Sequence, residues 1–156
     1  MALNSFGCRD KYVEFFNGVN WPYVQPQTVA EANEVTGEKW REALYALNLT
    51  MEPINAGTLA GHAAVFKAGM MIAPLGLIGY LSAYANAIAA DHVGQVYQGG
   101  IVISSSPPPS PFVFPPMGIN SDTIVSTMLA AALTDWFKTG TVTYVVGFFS
   151  FSGNWL

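Results

Sequence analysis

Apolar residues recur at helical spacing in the first half of the chain, beginning near residue 28. Thr28 and Glu31 have the spacing of a capping box, in which each side chain satisfies an amide of the other residue. A helix is therefore predicted from Thr28 to about Asn48, and Pro53 prevents its continuation. Its apolar face would contain Trp40, Ala43, Leu44 and Leu47, with Glu38, Lys39, Arg41 and Glu42 around the solvated side.

Two further helices are predicted at residues 56–73 and 75–91, separated or kinked at Pro74. This run is rich in alanine, glycine and leucine. Small residues on one side of the first helix would let another backbone approach closely. They are Gly57, Ala60, Gly61, Ala64 and Ala68.

A last helix is indicated by a long apolar stripe, with Ser121 or Asp122 as its cap and Gly140 as its end. The stripe consists of Ile124, Val125, Met128, Leu129, Ala132, Leu133, Trp136 and Phe137. The tail that follows is rich in β-branched and aromatic residues, which predicts a strand or hairpin.

The segments between these helices contain many turn formers. Residues 1–26 are predicted to form an irregular arm rich in aromatic residues. This arm is expected to pack onto the body of its own chain or onto a neighbouring subunit. Within residues 93–120, a turn is expected at 99–100 and a short strand at 101–103. Six prolines at 107–116 then exclude helix and favour polyproline II.

The predicted fold is mainly α, and all 156 residues belong to one structural domain. It is a small helical domain with an extended N-terminal arm, a proline-rich loop and a C-terminal β-strand or hairpin tail. Its parts are the aromatic arm (1–26), a helical body (27–92), a Gly/Pro-rich extended loop (93–120), a helix (121–140) and an apolar tail (141–156).

Charge is distributed very unevenly along this framework. The chain has six basic and ten acidic residues, and eleven of these sixteen precede Pro53. A typical globular domain is roughly 25% charged, so the remaining stretch has few groups with which to cover its surface. It is therefore expected to face lipid or other protein subunits.

The sequence gives little support for catalysis or for cofactor binding. His62 and His92 lack metal-ligand spacing, and Cys8 has no second cysteine beside which to bind zinc or form an intrachain disulfide. No nucleophile elbow, phosphate loop or dinucleotide fingerprint occurs. We expect no enzyme, no cofactor, no metal and no small-molecule substrate. The net charge of −4 and the absence of a basic run also argue against nucleic-acid binding.

Two hypotheses explain the scarcity of charge. Residues 69–90 contain no charged group and have the length of one membrane span, which defines a small integral membrane protein as the alternative. Against a span stand Pro74 and the many alanines and glycines, which contribute little to insertion. An obligate homo-oligomer explains the composition with fewer assumptions, because its large apolar interfaces need few charges.

Several stretches resemble small virion structural proteins of tailed bacteriophages in layout. These are INAGTLAGHAAVFKAGM with the alanine-rich helix after it, FVFPPMG, and a short helix that ends in DWFKTG, and together they cover roughly residues 54–140. The resemblance implies a capsid, neck, tail or baseplate component, made in the host cytoplasm and assembled symmetrically into the virion. Its partners would be copies of itself and other virion proteins.

Under this hypothesis the protein acts by burying interfaces, and aromatic residues are the expected anchors. The candidates are Phe112, Phe114, Trp136, Phe148, Phe149, Phe151 and Trp155. An ordinary place in the core of one chain is the alternative for each of them, and for Trp136 it is the preferred reading.

Overall fold

The computed structural model describes residues 4–16, 28–48, 56–73, 76–116 and 121–155, and the account below concerns these residues. They form five helices and a four-stranded antiparallel sheet. The helices are α1 (Ser5–Phe16), α2 (Val29–Asn48), α3 (Ala56–Ile72), α4 (Leu77–His92) and α5 (Asp122–Phe137). The strands are β1 (Val96–Tyr97), β2 (Gly100–Ser106), β3 (Thr141–Val146) and β4 (Phe149–Asn154).

The expectation of a mainly α fold is wrong, because the chain builds a mixed α/β structure. Its sheet is a curled meander in the order β1–β2–β3–β4, with α5 inserted between β2 and β3. The region expected to be an extended loop at 93–120 supplies half of the strands. Its serines have low intrinsic strand preference, but Ser104, Ser105 and Ser106 pair with Thr143, Val142 and Thr141 of β3.

The irregular N-terminal arm is also replaced in part by a helix. The Asn4 side chain accepts a hydrogen bond from the Gly7 amide at 2.9 Å and so caps the first turn of α1. Cys8 and Tyr12, one turn apart, are buried, and the Tyr12 ring meets Trp40 of α2 edge to face at 5.0 Å. The other residues of the expected arm, 1–3 and 17–26, lie outside the described residues.

The other predicted helices are confirmed with small shifts of their ends. Thr28 and Glu31 form the capping box, with amide-to-side-chain distances of 3.2 and 3.1 Å, and Ser121 caps α5 through the Ile124 amide. The junction expected at Pro74 lies outside the described residues, but α3 ends at Ile72 and α4 begins at Leu77. No helix in the described part of the chain has both the length and the hydropathy that a membrane span requires.

Helix packing produces one continuous core. The helix α2 packs against α1 and α3, α1 packs against α5, α3 packs against α4, and α4 reaches β2. Gly69 of α3 makes room for the Tyr80 ring of α4, because a Cβ atom there would stand only 2.6 Å from a ring carbon. The small residues Ala60, Gly61, Ala64 and Ala68, by contrast, are exposed in this chain.

Charged side chains join helices α2 and α3. The Glu38 carboxylate accepts from Arg41 Nε at 3.0 Å and from Lys67 Nζ of α3 at 2.8 Å. Lys39, which was expected on the solvated side of α2, is instead buried, with its Nζ 3.3 Å from Glu42 Oε2. The charged face of α2 is therefore directed partly at its own neighbours.

Candidate functional site

The hairpin of β3 and β4 carries the most exposed aromatic residues of the sheet. Gly147 occupies the first central turn position with φ +62°, and Phe148 occupies the second. A glycine with positive φ at that position defines a type II′ turn, the geometry that joins twisted strands through two residues. The turn projects Phe148 entirely into solvent, and Phe149 beside it is 70% exposed.

The concave face of the sheet is lined by aromatic and aliphatic residues. Cross-strand pairing aligns Val102, Tyr144 and Phe151, and the rings of Tyr144 and Phe151 stack at a centroid distance of 5.7 Å. Tyr144 is buried, whereas Phe151 is 47% exposed. The face is thus covered at its centre and open toward the turn, where Phe149 pairs with Val146.

The convex face of the sheet is uncharged and only partly polar, because Val96, Ile101 and Val145 form an apolar row beside its polar one. Ser104, Thr143 and Ser152 form one row across three strands. Strand residues 96–106 and 141–154 include no Asp, Glu, Lys or Arg. Natural edge strands usually carry lysine, proline or an inward charge that prevents pairing with other chains. Strand β4 has none of these.

Strand β4 forms an edge of the sheet, and the turn determines which of its backbone groups face outward. In a two-residue hairpin, the residues that flank the turn form a hydrogen-bonded pair, and the pattern then alternates. Phe149 and Phe151 therefore direct their backbone groups at β3, and Ser150 and Ser152 direct theirs away from the sheet. Two contacts farther along the strand agree with this alternation. In the first, the Trp155 amide donates to the Gly140 carbonyl at 2.9 Å.

The second contact closes one end of this edge. The hydroxyl of Tyr97 in β1 donates to the outward-facing carbonyl of Asn154 at 2.5 Å. Since β1 and β4 are the two outermost strands, this bond shows how strongly the sheet curls. The edge is covered at Asn154, and no hydrogen-bond partner within the described residues is found for the outward backbone groups of Ser150 and Ser152.

The seven predicted aromatic anchors fall into two groups. Phe148, Phe149 and Phe151 are exposed together on the hairpin, and Phe114 is partly exposed beside Trp40. Phe112 is buried against Trp136, which is itself half-buried on the core, and Trp155 is buried at the junction with α4 and α5. Contacts within one chain do not test contacts with a second one, so the interface role of all seven stays a prediction.

The proline-rich segment is attached to the body through Phe112 and Trp136. Trp136 Nε1 of α5 donates to the Ser110 carbonyl at 2.7 Å, and the Phe112 ring lies 5.8 Å from the Trp136 ring. The two phenylalanines of the segment are themselves in contact, with ring centroids 5.1 Å apart. The segment is therefore attached to α5 of its own chain through Trp136 and to α2 through the contact of Phe114 with Trp40.

Trp155 joins the sheet to the helices through its contacts with Ser105 and His92. Its Nε1 donates to Ser105 Oγ at 3.1 Å, and its ring meets the buried ring of His92 edge to face at 4.8 Å. Ser105 Oγ also lies 2.8 Å from His92 Nδ1. Burial lowers the pKa of His92 to about 4, against a smaller opposing effect of Asp91, so its ring is neutral at pH 7.

This serine–histidine pair has the distances of a hydrogen-bonded dyad, but within the described residues no carboxylate binds the other ring nitrogen, Nε2, of the histidine. Asp91, the neighbouring acid, contacts His62 Nε2 of α3 instead. Ser105 Oγ is already engaged by the indole of Trp155. We interpret the group as the joint between α4, β2 and the chain after β4.

The remaining candidate chemistry is sparse. Burial raises the pKa of the Cys8 thiol to about 12, which opposes formation of a reactive thiolate. Within the described ranges, no group of three or more His, Cys, Asp or Glu side chains could hold a metal ion. Clefts between α3 and α4 and between α1 and α5 have volumes of about 70 and 200 Å³, both below the roughly 300–1,000 Å³ of ordinary ligand pockets.

Sequence reasoning identified the aromatic residues of the hairpin but missed its open edge. The signal was available in the pattern TVTYVV-GF-FSFSGN, because a glycine-initiated two-residue turn fixes the alternation along both strands. Ser150 and Ser152 could have been found in this way.

The chain matches no protein-family model, and neither a curated protein nor a solved structure shows significant similarity to it.

Proposed function

We propose that this protein is a non-enzymatic structural subunit that works by binding copies of itself and other proteins of a bacteriophage virion. The observation that carries the proposal is the uncharged sheet with its exposed aromatic turn and open edge strand. The phage context comes from the resemblance in layout, which also implies assembly in the host cytoplasm and a final place in the virion.

The exposed hairpin supports an interface on energetic grounds. Burying apolar surface contributes about 25 cal/mol per Å², and a phenylalanine offers some 150–250 Å². Phe148 and Phe149 lie next to each other, the first fully and the second largely exposed to water. Contiguous apolar patches on proteins commonly mark interaction sites, so contact with another subunit is the role that fits the hairpin best.

The distribution of charge supports the same role. A surface that stays in water is usually kept apart from other chains by charged groups, and the sheet has none. Serine and threonine side chains on its convex face can hydrogen-bond to another chain without the cost of burying a charge.

A small integral membrane protein remains the alternative, and it rests on the absence of charge at residues 69–90. In the structure this stretch is divided between α3 and α4 rather than forming one helix. Leu81, Tyr84 and Ile88 of α4 are buried in the core of the domain.

The native mass in detergent-free buffer tests the proposal. We expect light scattering after size exclusion to give a defined species well above the 16.7 kDa chain. Replacing Phe148 and Phe149 together by serine should reduce that mass. Phe6→Ser is the matched control, because Phe6 is also 70% exposed but lies on α1.

Each possible result has a distinct meaning. A monomeric wild-type protein, or an equal loss of mass for Phe6→Ser, contradicts the role of the hairpin. Recovery of the protein only in detergent favours the membrane alternative instead.

A further inference from the structure

The open edge of β4 is complementary to itself in its hydrogen-bonding pattern, which an exposed apolar surface alone is not. Its outward backbone groups belong to Ser150 and Ser152, which stand symmetrically on either side of Phe151. If two copies of β4 run antiparallel with Phe151 facing its counterpart, each Ser150 faces a Ser152 of the other copy. Both pairs can then exchange their N–H and C=O groups in regular antiparallel geometry.

The side chains suit the same register. Phe151 would form a non-hydrogen-bonded pair with its counterpart, the arrangement in which opposite side chains come closest. Aromatic cross-strand pairs of this kind are stabilising. Phe149 would face Gly153, whose missing side chain leaves space that Tyr97 of the same copy partly fills.

Charge allows a second copy of this chain as the partner. The protein has a net charge of −4, so two copies repel each other overall, but the strands of the sheet carry no charge at all. Backbone pairing centred on β4 therefore brings two copies together without placing like charges face to face.

We propose that two copies of the protein pair edge to edge through β4, with a two-fold axis at Phe151, to make one continuous sheet. This inference rests on the proposed function, since it names the partner and the register of the same surface. The pairing closes on itself, because Tyr97 covers the edge at Asn154 and the opposite outer strand, β1, has only two residues.

Disulfide trapping tests the register directly. In Phe151→Cys the two introduced thiols would face each other across the axis, whereas in Phe149→Cys each thiol would face Gly153 of the other copy. We expect Phe151→Cys to form a covalent dimer under mild oxidation at least tenfold faster than Phe149→Cys. Cys8 is buried and should not react in either variant.

A second pair of variants tests the backbone edge. Ser150→Pro removes an outward N–H while leaving the bonds from β4 to β3 intact, so it should halve the native mass. Ser150→Ala keeps the N–H and should retain the wild-type mass. Unchanged circular dichroism for both variants would establish that each one is folded.

The outcomes separate this inference from the proposed function. Equal crosslinking of the two cysteine variants, with an oligomer that survives Ser150→Pro, overturns the β4 pairing and leaves structural assembly standing. A monomeric wild-type protein overturns both. If Ser150→Pro fails to fold, the ratio of the two crosslinking rates still decides whether the register is correct.

Discussion

The helical part and the sheet treat polar groups in opposite ways. On the helices, charged groups are paired within the chain: Glu38 binds Arg41 and Lys67, and Asp91 binds His62. The sheet has no charge, and its outer face carries serine and threonine beside the exposed Val96 and Ile101. The comparison teaches that low charge has two different causes here. The helices need few charges because they pack on one another, whereas the exposed apolar part of the sheet has no such partner in its own chain.

The largest expected effect separates a buried aromatic residue from an exposed one. Trp155→Ala should lower the free energy of unfolding by about 4 kcal/mol, since a large ring is removed from the packed joint between the helices and the sheet. Phe148→Ala should change it by less than about 0.5 kcal/mol, because that ring makes no core contact. Urea unfolding followed by circular dichroism measures both values. Similar losses of unfolding free energy in the two variants would contradict the assignment of Trp155 to the core and of Phe148 to the surface.

The next effect concerns the pH dependence of the same joint. His92 has its pKa lowered from 6.5 to about 4 by burial, so the unfolded chain binds a proton more readily than the folded one between these values. Stability should therefore be greatest above pH 6.5 and should fall by about 3 kcal/mol as the pH drops toward 4. The measurement is the free energy of unfolding of wild type and His92→Gln at several pH values. A parallel decline in the variant would assign the loss to carboxylates instead.

The smallest effect tests the pairing of charges on the helices. Hydrogen bonding from Arg41, assisted by Lys67, holds the pKa of Glu38 at about 2. The ion pair therefore stabilises the fold above about pH 4.5, and its contribution disappears as the pH falls toward 2. At pH 7 we expect Glu38→Gln to cost about 1 kcal/mol, because the group is only partly buried. The control Asp10→Asn, in an exposed pair with Arg9, should cost less than half as much in the same denaturation assay.

Much of the helical part could be predicted because local signals and tertiary packing agree there. The capping box of α2 and the Ser121 cap of α5 each join residues that are three positions apart in the sequence, and the structure contains both. Helix α1 was missed because its first turn includes a glycine and its aromatic residues do not form a single stripe. Its stability comes from burial of Cys8 and Tyr12 against other helices, which no local pattern shows.

The sheet was harder to predict because its strands depend on partners far along the chain. Ser104, Ser105 and Ser106 adopt strand geometry only because β3 lies beside them. The same dependence hides which aromatic residues are exposed. Phe149, Phe151 and Trp155 have the same parity in the tail, yet Trp155 is enclosed by the helices while the others are open to solvent.

The insertion of α5 between β2 and β3 also has a consequence for the order of folding. Strand β2 is synthesised before α5, so on the ribosome it must wait for the partner that later completes its hydrogen bonds. Loop closure over this distance costs entropy before the strands gain contacts, which places the pairing of β2 with β3 after the packing of α2 on its chain neighbours α1 and α3. The hairpin of β3 and β4, whose contacts are local, can form quickly once it has been translated. A nascent chain therefore forms the β4 edge only after most segments of the body have been made. If copies pair through β4 as proposed, this timing would limit premature association between unfinished chains on neighbouring ribosomes.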